Sequence, residues 1–324
     1  MEIIITKDKR DEVSDRFNLL FKDKKYCFFD IETTGLSRKY HEVILIGMLY
    51  IEGEKKIVKQ YFCDNPREEK LILDNFYKDL QEFDLIISYN GHSFDIPFLN
   101  ARFAENNLDH FIDPFYGFDL YRLVRKNKNK LPIERTNLKS IENLLGINRQ
   151  DTISGKESIA LYYDYVNYGD LDAKNKVLLH NLDDLKYLLP VVNILDYLCI
   201  NSIYMEFPCT LESNIIGDLH IENIKKNRDY LYITGKTNFN AEYQSYTSIE
   251  LSIKDNLFNI RLPLISFTLE DSNKISFLDT SIIDLDLQEI DINLRNSFIT
   301  SINKDIQYKN VLEYIQRVID NCIK

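Results

Sequence analysis

The chain has 324 residues, 44% hydrophobic and 28% charged, which excludes a disordered or linker-dominated polymer and exceeds one compact module of ordinary size. With 40 basic and 51 acidic residues the formal charge is −11, so broad polyanion binding is excluded and any nucleic-acid contact must be local. No apolar run approaches the roughly 20 residues that span a bilayer.

The first residues, Met1 to Asp8, lack the apolar core of a signal peptide. Residues 9–21 read as a helix with Val13, Phe17, Leu20 and Phe21 on one face. Residues 26–31 form a short apolar run that ends in acid, the pattern of a buried strand. Residues 42–50 and 56–63 follow as strands, joined by a hairpin turn at Gly53. Asn65 and Pro66 open a helix, Asn65 as cap and Pro66 at its first position, with Glu68 placed for a capping box. Residues 84–88 are another apolar strand, broken by Gly91. Helices are expected over 94–105, 118–126, 138–145 (closed by Gly146), 158–168 and 173–197. Beyond residue 198 the texture changes. Short strands at 230–235, 248–253, 258–262 and 274–278 alternate with Asn- and Asp-rich turns, and an amphipathic helix is expected over 306–323. This order predicts two domains. Residues 1–198 form an α/β domain whose helices cover a mixed central sheet, and residues 199–324 form a smaller β-rich domain. The five cysteines (27, 63, 199, 209, 322) are scattered and form no C-x-x-C pair, which argues against a zinc site or disulfide framework and fits the cytosol.

Three segments carry acids where chemistry can use them. In Asp30-Ile31-Glu32-Thr33-Thr34-Gly35-Leu36, the two acids at i and i+2 project from one strand face. Buried carboxylates need a partner, and a hard divalent cation is an economical one. An exposed strand end with one acid capping a helix is the plain alternative. In Asn90-Gly91-His92-Ser93-Phe94-Asp95, a strand runs into a turn and Asp95 opens a helix. Polar groups at strand ends are where α/β sheets place their sites. In His180-Asn181-Leu182-Asp183-Asp184, His180 and Asp184 are four apart and share a helix face, with Leu178, Leu182, Leu185 and Leu189 as the apolar stripe. A surface His–Asp pair is the alternative there. Residues 122–139 carry seven basic residues (Arg122, Arg125, Lys126, Lys128, Lys130, Arg135, Lys139) against Glu134 alone, a local charge of +6. A solvated surface explains this as well as a phosphate track does.

Taken in order, these segments resemble the three motifs of the DEDD superfamily of exonucleases, and more narrowly the YprB-type ribonuclease-H-like family. The resemblance covers about residues 20–195 and rests on Asp30 with Glu32, on Asn90, Phe94 and Asp95, on Asp119-Leu120, on Leu138 to Glu142, and on His180 to Asp184. It implies a three-layer ribonuclease-H-like fold and a 3′–5′ exonuclease for single-stranded DNA or RNA. It also implies two Mg2+ or Mn2+ ions, roughly 3.5–4 Å apart, activating water and stabilising the leaving oxygen. By the same resemblance Asp30, Glu32, Asp95 and Asp184 hold the metals and His180 orients or deprotonates water. The Thr33, Thr34, Gly35, Leu36 turn and Asn90 hold the terminal nucleotide. Arg122, Arg125 and Lys126 then track phosphates, and Tyr116, Phe118 and Tyr121 stack bases. The chain departs from the pattern in one place: His180 has the spacing of the tyrosine-type motif. Asp183 competes with Asp184 for the ligand role, and Asp184 is preferred because its core-side neighbours run on into Leu185 and Leu188. A module of the same fold that binds nucleic acid or a partner without cleaving is the alternative function. Residues 201–324 match no recognised pattern; self-association, partner recruitment or an extended substrate channel are their expected roles.

Overall fold

The structure is a computed structural model. It describes residues 1–21, 24–147, 153–198, 205–211, 214–246, 249–270, 272–279, 297–303, 305–306, 310–311 and 315. The chain divides into two compact units, Met1–Leu198 and Cys199–Lys324.

The first unit is built on a six-stranded mixed sheet. Its strands are β1 (Glu2–Lys9), β2 (Tyr26–Thr33), β3 (Val43–Glu52), β4 (Lys55–Phe62), β5 (Leu85–Ser88) and β6 (Gly117–Asp119), in the order β1-β4-β3-β2-β5-β6. The β1, β4, β3 and β2 strands pair antiparallel, while β2, β5 and β6 run parallel. The two faces of β2 separate by alternation. Cys27, Phe29 and Ile31 enter a core with Ile72, Leu73 and Phe76 of α2 (Glu69–Leu80) and Ile96, Leu99 and Phe103 of α3 (Asp95–Glu105). On the opposite face, Ile44, Leu45 and Phe62 pack against Tyr162 of α6 (Gly155–Tyr168) and Val177 of α7 (Leu171–Val191). Helices on both faces make the expected three layers.

Local chemistry sets the element ends. The Gly53 turn between β3 and β4 has φ +59°, which glycine adopts without strain. Ser154 and Glu157 form a capping box at the start of α6, and Gly169 ends it in the left-handed conformation. Asp170 caps α7 through the Asp172 and Ala173 amides. Asn65 caps a single 3-10 turn, Pro66–Glu68, rather than α2 itself, and the Glu68 carboxylate accepts from the Asp64 amide.

Three expected elements are corrected. Residues 2–9 are an edge strand, and the helix expected over 9–21 shrinks to α1 (Asp15–Phe21). The helix expected over 118–126 begins only at Leu120 (α4, Leu120–Lys126), because residues 117–119 pair with β5. The last helix ends at Val191 and continues as a 3-10 turn, Val192–Tyr197. The α5 helix (Leu138–Leu144) lies where expected.

The second unit is antiparallel β-structure. Strands β7 (Met205–Leu211), β8 (Asn214–Asn227), β9 (Tyr230–Thr237), β10 (Tyr243–Tyr246), β11 (Glu250–Lys254) and β12 (Leu257–Pro263) form one sheet, ordered β10-β11-β12-β9-β8-β7. Strands β13 (Ile265–Thr268), β14 (Lys274–Asp279), β15 (Ser297–Ile302) and β16 (Asp305–Ile306) form another. Its core includes Leu219, Ile221, Leu231, Ile233, Leu251, Ile260 and Leu262. Most of the helix expected over 306–323 lies outside the described residues, among which Val311 and Ile315 are buried. Among the described residues, no helix is long and apolar enough to cross a membrane.

Candidate active site

The site forms where β2 leaves the sheet. Asp30 and Glu32 share the face of β2 opposite Phe29 and Ile31. A β-bulge between Glu32 and Thr33 ends the regular pairing with β3, at the point where the chain turns. The α7 helix lies against this face and brings His180 and Asp184 to it. His180 Nε2 stands 3.6 Å from Glu32 Oε1 and 3.9 Å from Asp184 Oδ2. One donor atom each of Glu32, His180 and Asp184 lies within 4.8 Å of the others, close enough for one cation to reach all three. Of the two adjacent acids on α7, it is Asp184 that enters this group; Asp183 is buried but is not a member of it.

Asp30 and Asp95 join the cluster electrostatically. The protein mass around Asp30 pushes its carboxyl well above the ordinary range. Asp184, Asp95 and Glu32 add repulsion, and a hydrogen bond from Asn181 opposes the shift. Asp95 begins α3 and is 8% exposed. Burial pushes it up to about 7, against backbone hydrogen bonds from Asp95 and Ile31, with Asp119 and Asp184 adding repulsion. Asp30 and Asp95, raised by burial and by the acids around them, fit a divalent cation, whose charge removes the repulsion. The carboxylate oxygens suit a hard ion such as Mg2+ or Mn2+ better than a soft one.

The turn after β2 is held by its own side chains. Thr33 Oγ1 donates to the Gly35 carbonyl at 2.8 Å, and Thr34 Oγ1 donates to Glu42 Oε2 at 3.0 Å. The threonine hydroxyls therefore shape the turn, leaving main-chain groups and Leu36, 85% exposed, for any ligand. Gly35 packs so closely on His41 that a Cβ would come within 2.5 Å of its ring.

The turn carrying Asn90 is fixed from β6. Asp119 Oδ1 accepts the Asn90 amide at 2.8 Å and the Tyr121 amide at 3.0 Å, and Oδ2 accepts the His92 amide at 3.3 Å. Asn90 adopts φ +71°, a conformation that asparagine tolerates better than most residues. Arg122 reaches this turn, with Nη1 3.0 Å from His92 Nδ1. Arg125 and Lys126 are exposed on the same helix, α4. Tyr121 packs edge-on against Tyr89 at 5.8 Å. Phe118 is 1% exposed and packs on Phe21, so the expectation that it stacks bases is withdrawn. Sequence reading gave Gln60 and Gly47 no place in the site, and it quoted Asp119 and Asn181 only within the resemblance, without a role. The available signals were a lone glycine inside an Ile/Leu/Met run and an Asp directly ahead of a helix.

The family model for the RNase_H superfamily matches residues 27–196. The chain belongs to the RNase_H superfamily. It also resembles part of "DNA polymerase III PolC-type" from several bacteria. Identity is 27% for Ureaplasma parvum, over 28% of this chain and 8% of the relative. It is 27% for Mycoplasma genitalium, over 35% and 9%, and 25% for Streptococcus sanguinis, over 35% and 9%. The chain thus spans less than a tenth of the length of these curated relatives. Among solved structures, a family B DNA polymerase from Pyrobaculum calidifontis aligns at TM-score 0.40 and 14% identity, over 53% of this chain and 27% of that one. In this RNase_H superfamily member the matched segment contains every site residue described above.

Proposed function

We propose that this protein is a metal-dependent nuclease of the DEDD, YprB-like type, a 3′–5′ exonuclease that hydrolyses single-stranded DNA or RNA to 5′-mononucleotides. The observation that carries the reading is the convergence of Glu32, His180 and Asp184, with Asp30 and Asp95 electrostatically linked, at the exit of β2. Asp30, Glu32, Asp95 and Asp184 would hold two Mg2+ or Mn2+ ions. Bound there, such ions supply charge stabilisation and a water acidic enough to attack phosphorus at neutral pH. His180 would orient or deprotonate that water, since an imidazole is the side chain suited to proton transfer near pH 7. Its Nε2 stands 3.6 Å from Glu32 and 3.9 Å from Asp184, so the ring faces the acid cluster.

The rest of the unit receives the strand. Main-chain groups of Thr33 to Leu36, the exposed Leu36 side chain and Asn90 contact the terminal nucleotide. Arg122, Arg125 and Lys126 follow the phosphates, so activity falls with rising salt. The similarity to part of DNA polymerases supports DNA as the first substrate to try. Residues 1–198 serve as the catalytic domain and 199–324 as an accessory domain for channel extension, self-association or a protein partner. The buried, free Cys27 and Cys63 suit a cytoplasmic setting.

The test is a gel assay with single-stranded DNA and RNA, labelled at either end, using wild type and Asp30→Ala with Mn2+ or chelator. A ladder retreating from the 3′ end, absent in chelator and in the variant, is expected. Intact strands in every lane, beside a retained mobility shift, would overturn cleavage in favour of a non-cleaving binding module.

A further inference from the structure

Asn181 sits between His180 and Asp184 in sequence but is fully buried on the side of α7 that rests on the sheet. It lies over Gly47, where a Cβ would come within 2.2 Å of Asn181 Oδ1 and 2.3 Å of Leu185 Cδ1. Gly47 pairs with Asp30 of β2 on one side and with Gln60 of β4 on the other. The three residues form one row across the sheet, and the Asn181 amide bridges its ends. Gln60 Nε2 donates to the Leu178 carbonyl at 2.9 Å and to Asn181 Oδ1 at 3.0 Å.

This chain of donors leaves one orientation for each amide. A backbone carbonyl can only accept, so Leu178 requires Gln60 to present its NH2 there. Gln60 then requires Asn181 to present its oxygen. The Asn181 NH2 is left facing Asp30, and Nδ2 reaches Asp30 Oδ2 at 3.0 Å and the Asp30 carbonyl at 3.4 Å.

We infer that Asn181 is the positioning residue for Asp30: anchored by Gln60 and the Leu178 carbonyl, its amide holds one carboxylate oxygen and aims the other at the acid cluster. The consequence for metal capture rests on the nuclease reading above. A side chain of the same size without a donor would fill the space over Gly47 and leave Asp30, which stands among three other carboxylates, free to rotate away. Groups that orient ligands from behind typically change metal affinity or activity by 10–100-fold when removed.

The experiment uses the full chain, Mn2+ alone as probe, and the variants Asn181→Leu and Gln60→Leu. Free Mn2+ is counted by electron paramagnetic resonance, folding by thermal melting, and hydrolysis by separate kcat and KM. Asn181→Leu is expected to melt as a folded protein, bind Mn2+ about 10–100-fold more weakly and lose kcat with KM little changed. Gln60→Leu is expected to lose affinity in the same direction by a smaller factor. Wild-type Mn2+ affinity in folded Asn181→Leu would overturn the positioning role while leaving the nuclease reading intact. Should Asn181→Leu fail to fold, wild-type affinity in Gln60→Leu would overturn it equally. A wild-type protein that takes up no Mn2+ would overturn the nuclease reading, and this inference with it.

Discussion

The Asp119 carboxylate accepts the Asn90 amide at 2.8 Å across 29 residues of chain, and so binds the end of β6 to the turn that leaves β5. The same side chain takes the His92 and Tyr121 amides. Asp119→Ala therefore strands three donors at a position 1% exposed. The expected cost is about 2–3 kcal/mol, more than a lost helix cap alone. Because Asn90 is assigned to substrate, KM should rise more than kcat falls. Thermal melting and steady-state kinetics read the two effects separately.

A second prediction concerns Gly47→Ala. The added methyl would stand 2.2 Å from Asn181 Oδ1 and 2.3 Å from Leu185 Cδ1, so these side chains, or α7 with them, must shift. Overpacking of this kind costs about 1–3 kcal/mol. Since α7 carries His180 and Asp184, hydrolysis should fall far more than stability, whereas Gly53→Ala, with open space around it, should cost only the strain of its φ of +59°. Comparing the two variants by melting and by activity isolates the close approach.

The pair Glu69–Arg102 joins α2 to α3. Arg102 Nε and Nη2 reach the two Glu69 oxygens at 2.8 and 2.7 Å, and Glu69 also accepts from the Val43 amide and from Asn106. Both residues are buried. Arg102→Met leaves an uncompensated buried carboxylate and should destabilise by about 3–5 kcal/mol. For a unit of this size the melting temperature should drop on the order of 10 °C. Adding Glu69→Met should recover only part of the loss, because the Val43 amide then lacks an acceptor.

Asp64 provides a pH signature. Burial alone would raise its pKa. Hydrogen bonds from Lys174, Tyr165 and the Met1 amino group outweigh that and hold it near 2. Its folded value lies below the ordinary unfolded value near 3.9, so its stabilisation is present above about pH 4 and is lost as pH falls towards 2. Its side chain is 34% exposed, which reduces the contribution to about 1 kcal/mol. Asp64→Asn should melt about 2–4 °C lower than wild type at pH 7, and the gap should close between pH 4 and pH 2.

The acids of the site were legible partly from periodicity and partly from the resemblance, which alone joined the separate segments and added Asp95. Asp30 and Glu32 share a face by the strand repeat, and His180 and Asp184 by the helix repeat. The residues that support them were not, because their contacts join distant segments. Asn181 acts through Gly47 and Gln60, which no local period connects to α7. Asp119 looked like a helix residue while it was both strand end and cap. The β1 strand was missed because an edge strand need not bury one face: Ile3 and Ile5 are exposed. The β8 strand was missed because a bulge between Ile221 and Asn223 breaks its alternation, so that Leu219 and Ile221 are followed by Ile224.

The most direct test of the account is hydrolysis of single-stranded DNA in oxygen-18 water with Mn2+, with Asp30→Ala alongside and the released nucleotides read by mass spectrometry. The account predicts 5′-mononucleotides carrying one oxygen-18 on the phosphate, produced by wild type and not by the variant. No released nucleotides from wild type, or equal release by Asp30→Ala, would contradict it.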